Sequence, residues 1–342
     1  MSSMLVESFS SIDSGSFTLR ELPIREAIRE AMAEEMRRDD RVFLIGEEVG
    51  SYNGAYKCSK GMLEEFGPKR IIDAPISECG FSGVGIGAAM AGLRPIIEFM
   101  TFNFSLVAID QIINTAAKTH LMSGGQIHLP IVFRGAGGAA NQLAAQHANS
   151  FEGFYSYIPG LKVIAPATPA DMKGLLKSAI RDDNPVVFLE SELTYSLKGP
   201  VPEEEYIIPI GKADIKRQGS DITLISWSKV IHLTLQVADA LSEQGISAEV
   251  VDLRTLRPLD TETVFNSVSK TNRVCVIQEQ HQVASYGAYI AHLISRECFD
   301  DLDAPVGLAS SREAPVPFST ALEPYVLVNK DMCIIEIQKV LG

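Results

Sequence analysis

Two glutamates stand where a carboxylate can act on a bound ligand. Glu47 directly follows the apolar run 42–45, and Glu78 follows Ile71-Ile-Asp73 at the head of a stretch carrying Gly80, Gly83, Gly85, Gly87 and Gly92. In a parallel sheet ligands sit beyond the carboxyl ends of strands, so acids placed just after a strand are the first candidates for proton chemistry. For Glu78 the alternative is a carboxylate that only complements a helix dipole. For Glu47 it is a solvated acid at a strand exit. Among six histidines, His147 stands out because it lies in a segment of small and polar residues, 135–147, where loop backbone can reach a substrate. An ordinary loop hydrogen bond explains it as well.

Motifs for other chemistries are missing. There is no phosphate loop of the G-x-x-x-x-G-K-[ST] type, no G-x-S-x-G elbow and no H-E-x-x-H. The run Gly83-Val-Gly-Ile-Gly87 does not match the dinucleotide fingerprint. Five scattered cysteines without a C-x-x-C pair suggest neither a disulfide framework nor a zinc site. A net charge of −13 without a basic run argues against nucleic acid. The uncharged stretch 79–93 is too short and too rich in glycine to span a bilayer, so no membrane segment is expected. No positive charge precedes Arg20, which points to an untargeted, cytoplasmic chain of bacterial type.

The elements that must carry these residues follow from periodicity. Residues 1–16 are Ser-rich and lack period, which predicts a disordered tail. Strand-like runs at 42–45, 96–99, 131–133, 163–165 and 186–189 alternate with helical patterns at 23–38, 81–92, 106–120 and 170–181. This is an α/β pattern, a mainly parallel sheet covered by helices, over residues 17–195. The glycine helix is so short of side chains that another backbone is expected to approach it. Residues 196–220, with Pro200, Pro202, Pro209 and an acidic run, suggest a linker. Residues 221–342 read as a smaller α/β domain, with strands at 222–226, 248–252, 274–278 and 306–309 and helices at 230–244, 261–269 and 287–297.

The stretches Phe43-Leu-Ile-Gly-Glu-Glu-Val49, Asn53-Gly-Ala-Tyr56, Arg70-Ile-Ile-Asp-Ala-Pro-Ile-Ser-Glu78, Glu98-Phe-Met-Thr-Phe-Asn-Phe104, Ala108-Ile-Asp-Gln111 and Asp182-Asp-Asn-Pro185 carry a resemblance. They are similar to the beta subunits of the decarboxylating component of the pyruvate dehydrogenase complex, within the transketolase-like thiamin diphosphate enzymes. The resemblance implies a pyrimidine-binding domain followed by a transketolase C-terminal domain. It implies thiamin diphosphate shared with an alpha subunit in an alpha2beta2 heterotetramer, with Mg2+ held by alpha through a Gly-Asp-Gly motif. This chain contains no Gly-Asp-Gly.

By match, Glu78 would bond the aminopyrimidine nitrogen and favour its imino tautomer, with Glu47 in the same network. Phe104, Met100 and Ile76 would pack on that ring. His147 would assist acyl transfer to lipoyl-lysine of the dihydrolipoyl acetyltransferase, the substrate being pyruvate. Backbone carbonyls of Ile131, Ala179, Ile180, Asp182 and Asn184 match a structural potassium site. The family has Gly-Gly or similar after the glutamate at Glu279, where this chain has Gln280-His281. A branched-chain 2-oxo acid or acetoin dehydrogenase, half of a split transketolase, and a non-catalytic assembly module are the competing readings.

Overall fold

The computed structural model describes residues 18–342, and the tail expected over residues 1–16 lies outside them. Among the described residues the larger sheet has seven strands. Their order is Thr255–Arg257, Lys162–Ile164, Val186–Glu190, Val132–Ala136, Arg94–Glu98, Val42–Gly46 and Ile71–Asp73. Neighbours are parallel except at the first pair, where Thr255–Arg257 runs antiparallel to Lys162–Ile164.

Alternation along these strands divides the core. Val42, Leu44, Ile96, Val132 and Phe188 face one way and pack with Ile24, Ile28, Leu175 and Leu176 of the helices Ile24–Arg38 and Pro169–Arg181. Phe43, Ile45, Ile97, Phe133 and Val187 face the other way, against Phe81, Ile86 and Ala89 of the helix Glu78–Met90. Burial on both faces is why these strands read as continuous apolar runs rather than as alternating ones.

The second sheet is ordered Gly307–Ser311, Val274–His281, Ile222–Ser226, Ala248–Asp252 and Asp214–Arg217, parallel except at its last pair. Ile225, Trp227 and Val251 from this unit pack in the same core as Phe99 and Phe133 of the first, so the two units share an apolar interior.

Several expectations need correction. Residues 196–220 are not only a linker: Lys198–Pro202 pairs antiparallel with Leu19–Pro23, and Asp214–Arg217 edges the second sheet. The first was hidden by Pro200 and Pro202, which a two-stranded ribbon tolerates because not every N–H must enter a ladder. The second was hidden by charge. Lys216 is buried and its ammonium lies 2.7 Å from both Asp171 and Asp214, so the charged residues Asp214 and Lys216 of this strand are interior.

The helix expected at 106–120 is present over 109–122, with a π-helical stretch at Gln111–Ala116 that leads into Ala117–Met122, and a separate 3-10 turn at Phe102–Leu106 precedes it. At Gly85 a Cβ would lie 2.3 Å from Ile97 Cδ1, so a side chain approaches the glycine helix there, and Gly87 faces open space. No helix among the described residues is long and apolar enough to cross a membrane.

Candidate functional site

Four adjacent parallel strands deliver the predicted residues to one edge. Gly46 is in register with Asp73 on one side and Glu98 on the other, and Glu98 with Arg134. The chain therefore leaves neighbouring strands toward Glu78, Glu47, Met100 with Phe104, and His147, all beyond the carboxyl end of the sheet. Close approach is built in: a Cβ on Gly46 would lie 2.4 Å from the Glu98 carbonyl, and one on Gly135 would lie 2.7 Å from the Phe99 carbonyl.

Glu78 opens the helix Glu78–Met90 and is 5% exposed, and Glu47 is 4% exposed. Both acids are thus taken out of water. Burial pushes the Glu47 carboxyl up to about 7, helped by the charge of Glu78 and a hydrogen bond with it. Its Oε1 has no protein partner. A buried acid that keeps its proton near neutral pH beside a second carboxylate can donate to that carboxylate, while an orphaned polar atom asks for a ligand.

Around this pair the surface is apolar. Ile76, in the loop before Glu78, is 84% exposed. Met100 and Phe104 are half-buried. The Phe104 and His147 rings meet edge to face, 5.2 Å between centroids at 81°. The sequence-predicted histidine and aromatic residue are therefore in contact. His120 and His128 pack on each other instead, and His232 Nε2 lies 3.0 Å from the Ala167 carbonyl oxygen.

The five residues matched to a cation site also converge, at the C-terminal end of Pro169–Arg181 and the foot of Val132–Ala136. Four of the five carbonyls each accept one hydrogen bond already. Arg94 donates to Ile180 O at 2.9 Å and to Asp182 O at 2.7 Å, while Ala179 O and Ile131 O accept from Asp182 N and Val186 N. Each oxygen keeps a second lone pair, and a helix C-terminus favours positive charge. Among the described residues no cluster of three or more His, Cys, Asp or Glu could hold a metal.

Comparison with known proteins decides the family. Residues 20–198 match the transketolase pyrimidine binding domain and residues 211–333 the transketolase C-terminal domain. The "Pyruvate dehydrogenase E1 component subunit beta" of Rickettsia felis is 52% identical over 320 residues, covering 94% of this chain and 98% of the relative. The chain belongs to the pyruvate dehydrogenase E1 beta-subunit family. The mitochondrial E1 beta subunit of Dictyostelium discoideum is 49% identical, covering 92% of this chain and 89% of that one. A split-gene transketolase, solved as an inactive beta4 tetramer, superposes with a TM-score of 0.76 at 21% identity, over 94% of this chain and 98% of that one. That likeness shows the fold.

Two features of this E1 beta site escaped sequence reasoning. Arg134, 1% exposed, grips Glu190 through Nε and Nη2 at 2.6 Å each and also bonds Glu98. This buried triad ties three strands together under the site. Asn103 accepts from both nitrogens of Asn149, at 3.0 and 2.9 Å, and so joins the Phe104 turn to the His147 loop. Asn103 lies inside the stretch that carries the resemblance; its partner, 46 positions away, gave no signal.

Proposed function

We propose that this chain is the beta half of a thiamin-diphosphate-dependent dehydrogenase that decarboxylates pyruvate and passes the acetyl group to lipoyl-lysine of a dihydrolipoyl acetyltransferase. The buried pair Glu47 and Glu78, with one unpartnered oxygen and a pKa held up at about 7, carries the reading. These residues fit an aminopyrimidine: a desolvated carboxylate for a ring nitrogen and apolar side chains for its faces. Bound thiamin diphosphate supplies an electron sink for breaking the carbon–carbon bond next to a ketone.

The chain's own residues would orient it and manage protons. Glu78 holds the pyrimidine nitrogen, and in a dry pocket its negative charge stabilises positive charge developing on the ring. Glu47 donates to Glu78 and keeps a second negative charge from accumulating beside it. Ile76, Met100 and Phe104 exclude water from the ring. His147 holds or moves a proton at the lipoyl sulfur, a step to which a positioned acid or base contributes about 10²- to 10⁴-fold.

The diphosphate and Mg2+ are assigned to an alpha subunit, in an alpha2beta2 assembly, and K+ to the carbonyls of Ile131, Ala179, Ile180, Asp182 and Asn184 as a structural ion. Co-expression with an alpha chain carrying Gly-Asp-Gly, followed by carbon dioxide release from pyruvate and branched-chain 2-oxo acids and by reduction of an artificial electron acceptor with acetoin, tests the assignment. Pyruvate should be turned over fastest. Preference for a branched-chain acid, or no turnover of any, would contradict it.

A further inference from the structure

We propose that Glu279, on the second unit, is a positioning residue that fixes the loop carrying His147. The proposal rests on the reading of His147 as the group serving lipoyl acetylation. The loop spans residues 137–151, between the strand Val132–Ala136 and the helix Glu152–Ser156. It is strained: Asn141, Gln142 and Ala144 all have positive φ, at 24°, 61° and 63°. Such conformations persist in a non-glycine residue only where the surroundings over-determine them.

Glu279 supplies that determination at both feet of the loop. Its Oε1 accepts from Ala139 N at 2.7 Å and from Ser150 Oγ at 2.9 Å. Its Oε2 lies 2.5 Å from Lys229 Nζ, and Lys229 in turn donates to the Ala139 carbonyl. Gly138 N donates to Asn149 O at 2.9 Å and pins the feet together. There is room for the carboxylate only because residue 138 is glycine: a Cβ there would sit 2.5 Å from Glu279 Oε1, at a φ of +76°. The next residue adds a second tie, since Gln280 Nε2 donates to Ser150 O at 3.1 Å while its Oε1 accepts from Tyr286 N.

Glu279, together with Gln280, the first of the two residues that stand where the family has Gly-Gly, thus closes the His147 loop from the second unit. Glu279 touches no reacting group in this scheme. It acts through the loop, and misplacing a catalytic group by about 1 Å costs on the order of 10²-fold.

The test uses the assembled alpha–beta enzyme with thiamin diphosphate and Mg2+, read in two assays: decarboxylation with an artificial electron acceptor, and acetylation of a lipoyl domain. Glu279→Ala should lower lipoyl acetylation about 10- to 100-fold and leave the artificial-acceptor rate within about twofold. Glu279→Gln, which still offers an oxygen to Ala139 N–H and the Ser150 hydroxyl, should recover most of the loss. Combined with His147→Ala, Glu279→Ala should add nothing, because both act on one group. If Glu279→Ala fails to assemble, Ser150→Ala reads the same clamp, with a smaller loss that again vanishes when combined with His147→Ala.

Losses that multiply in the double variant, fall equally on both assays, or are absent from the variant that assembles overturn the proposal. Should His147→Ala itself be silent in lipoyl acetylation, the reading of His147 fails first and this proposal with it. If only the Glu279 and Ser150 variants are silent, the positioning role alone is wrong.

Discussion

Glu47 behaves unlike the solvated acid that a strand exit suggests. Its ordinary carboxyl value of 4.5 is pushed up to about 7, chiefly by burial. Between those two values the unfolded chain releases a proton that the folded chain keeps, so the contribution of this group to stability is fully present below about 4.5 and is lost as pH rises through about 7. Glu152, also held up at about 7 by burial, acts in the same direction. Buried Asp252 and Glu98 are raised as well, and replacing Glu47 with Gln removes one of these contributions. The melting temperature of the Glu47→Gln enzyme should therefore fall less than that of the wild type between pH 5 and 8, and identical slopes would show that Glu47 does not hold its proton. Glu47, Glu78 and His147 could be picked out as candidates from the sequence, because an acid after an apolar run and a histidine in a small-residue loop have local signatures, whereas Phe104 became a candidate only through the resemblance. The Arg134 triad and Glu279 had no such signature. Their partners lie 36 to 140 positions away, and only the strand order brings them together.

Among elements, the helix Pro169–Arg181 does double duty. It packs on Ile24–Arg38 to cover one face of the sheet, and its last turn turns carbonyl oxygens toward Arg94 and the proposed K+ site. A cation bound only by the folded state stabilises it by mass action, by about 2.7 kcal/mol at a hundredfold excess over Kd. Exchanging potassium for choline at constant ionic strength should lower the melting temperature, and an unchanged value would remove the ion from that site. Elements with a clean period, such as Pro169–Arg181 and Val186–Glu190, were legible to within a residue or two. The helix expected at 106–120 was legible to within three residues, whereas its π-helical stretch at Gln111–Ala116, a feature frequent beside functional sites, left no mark in the 3.6-residue pattern.

At the scale of the whole molecule, the shared core and the strand Thr255–Arg257, which crosses from the second unit into the first sheet, couple the two units. The linker expected at 196–220 was drawn from composition, and apolar residues of both units pack in one core. The division of labour between subunits predicts that this chain alone binds thiamin diphosphate weakly and with little dependence on Mg2+. Calorimetry showing tight, Mg2+-dependent binding without alpha would contradict that division. The central claim, that Glu78 is the carboxylate acting on the cofactor ring, is tested most directly by the turnover of Glu78→Gln in the assembled enzyme at saturating thiamin diphosphate. The amide keeps the shape and the fold but cannot stabilise positive charge on the ring. Carbon dioxide release should fall by about 10²-fold or more with assembly and melting temperature retained, and wild-type turnover in that variant would contradict the account.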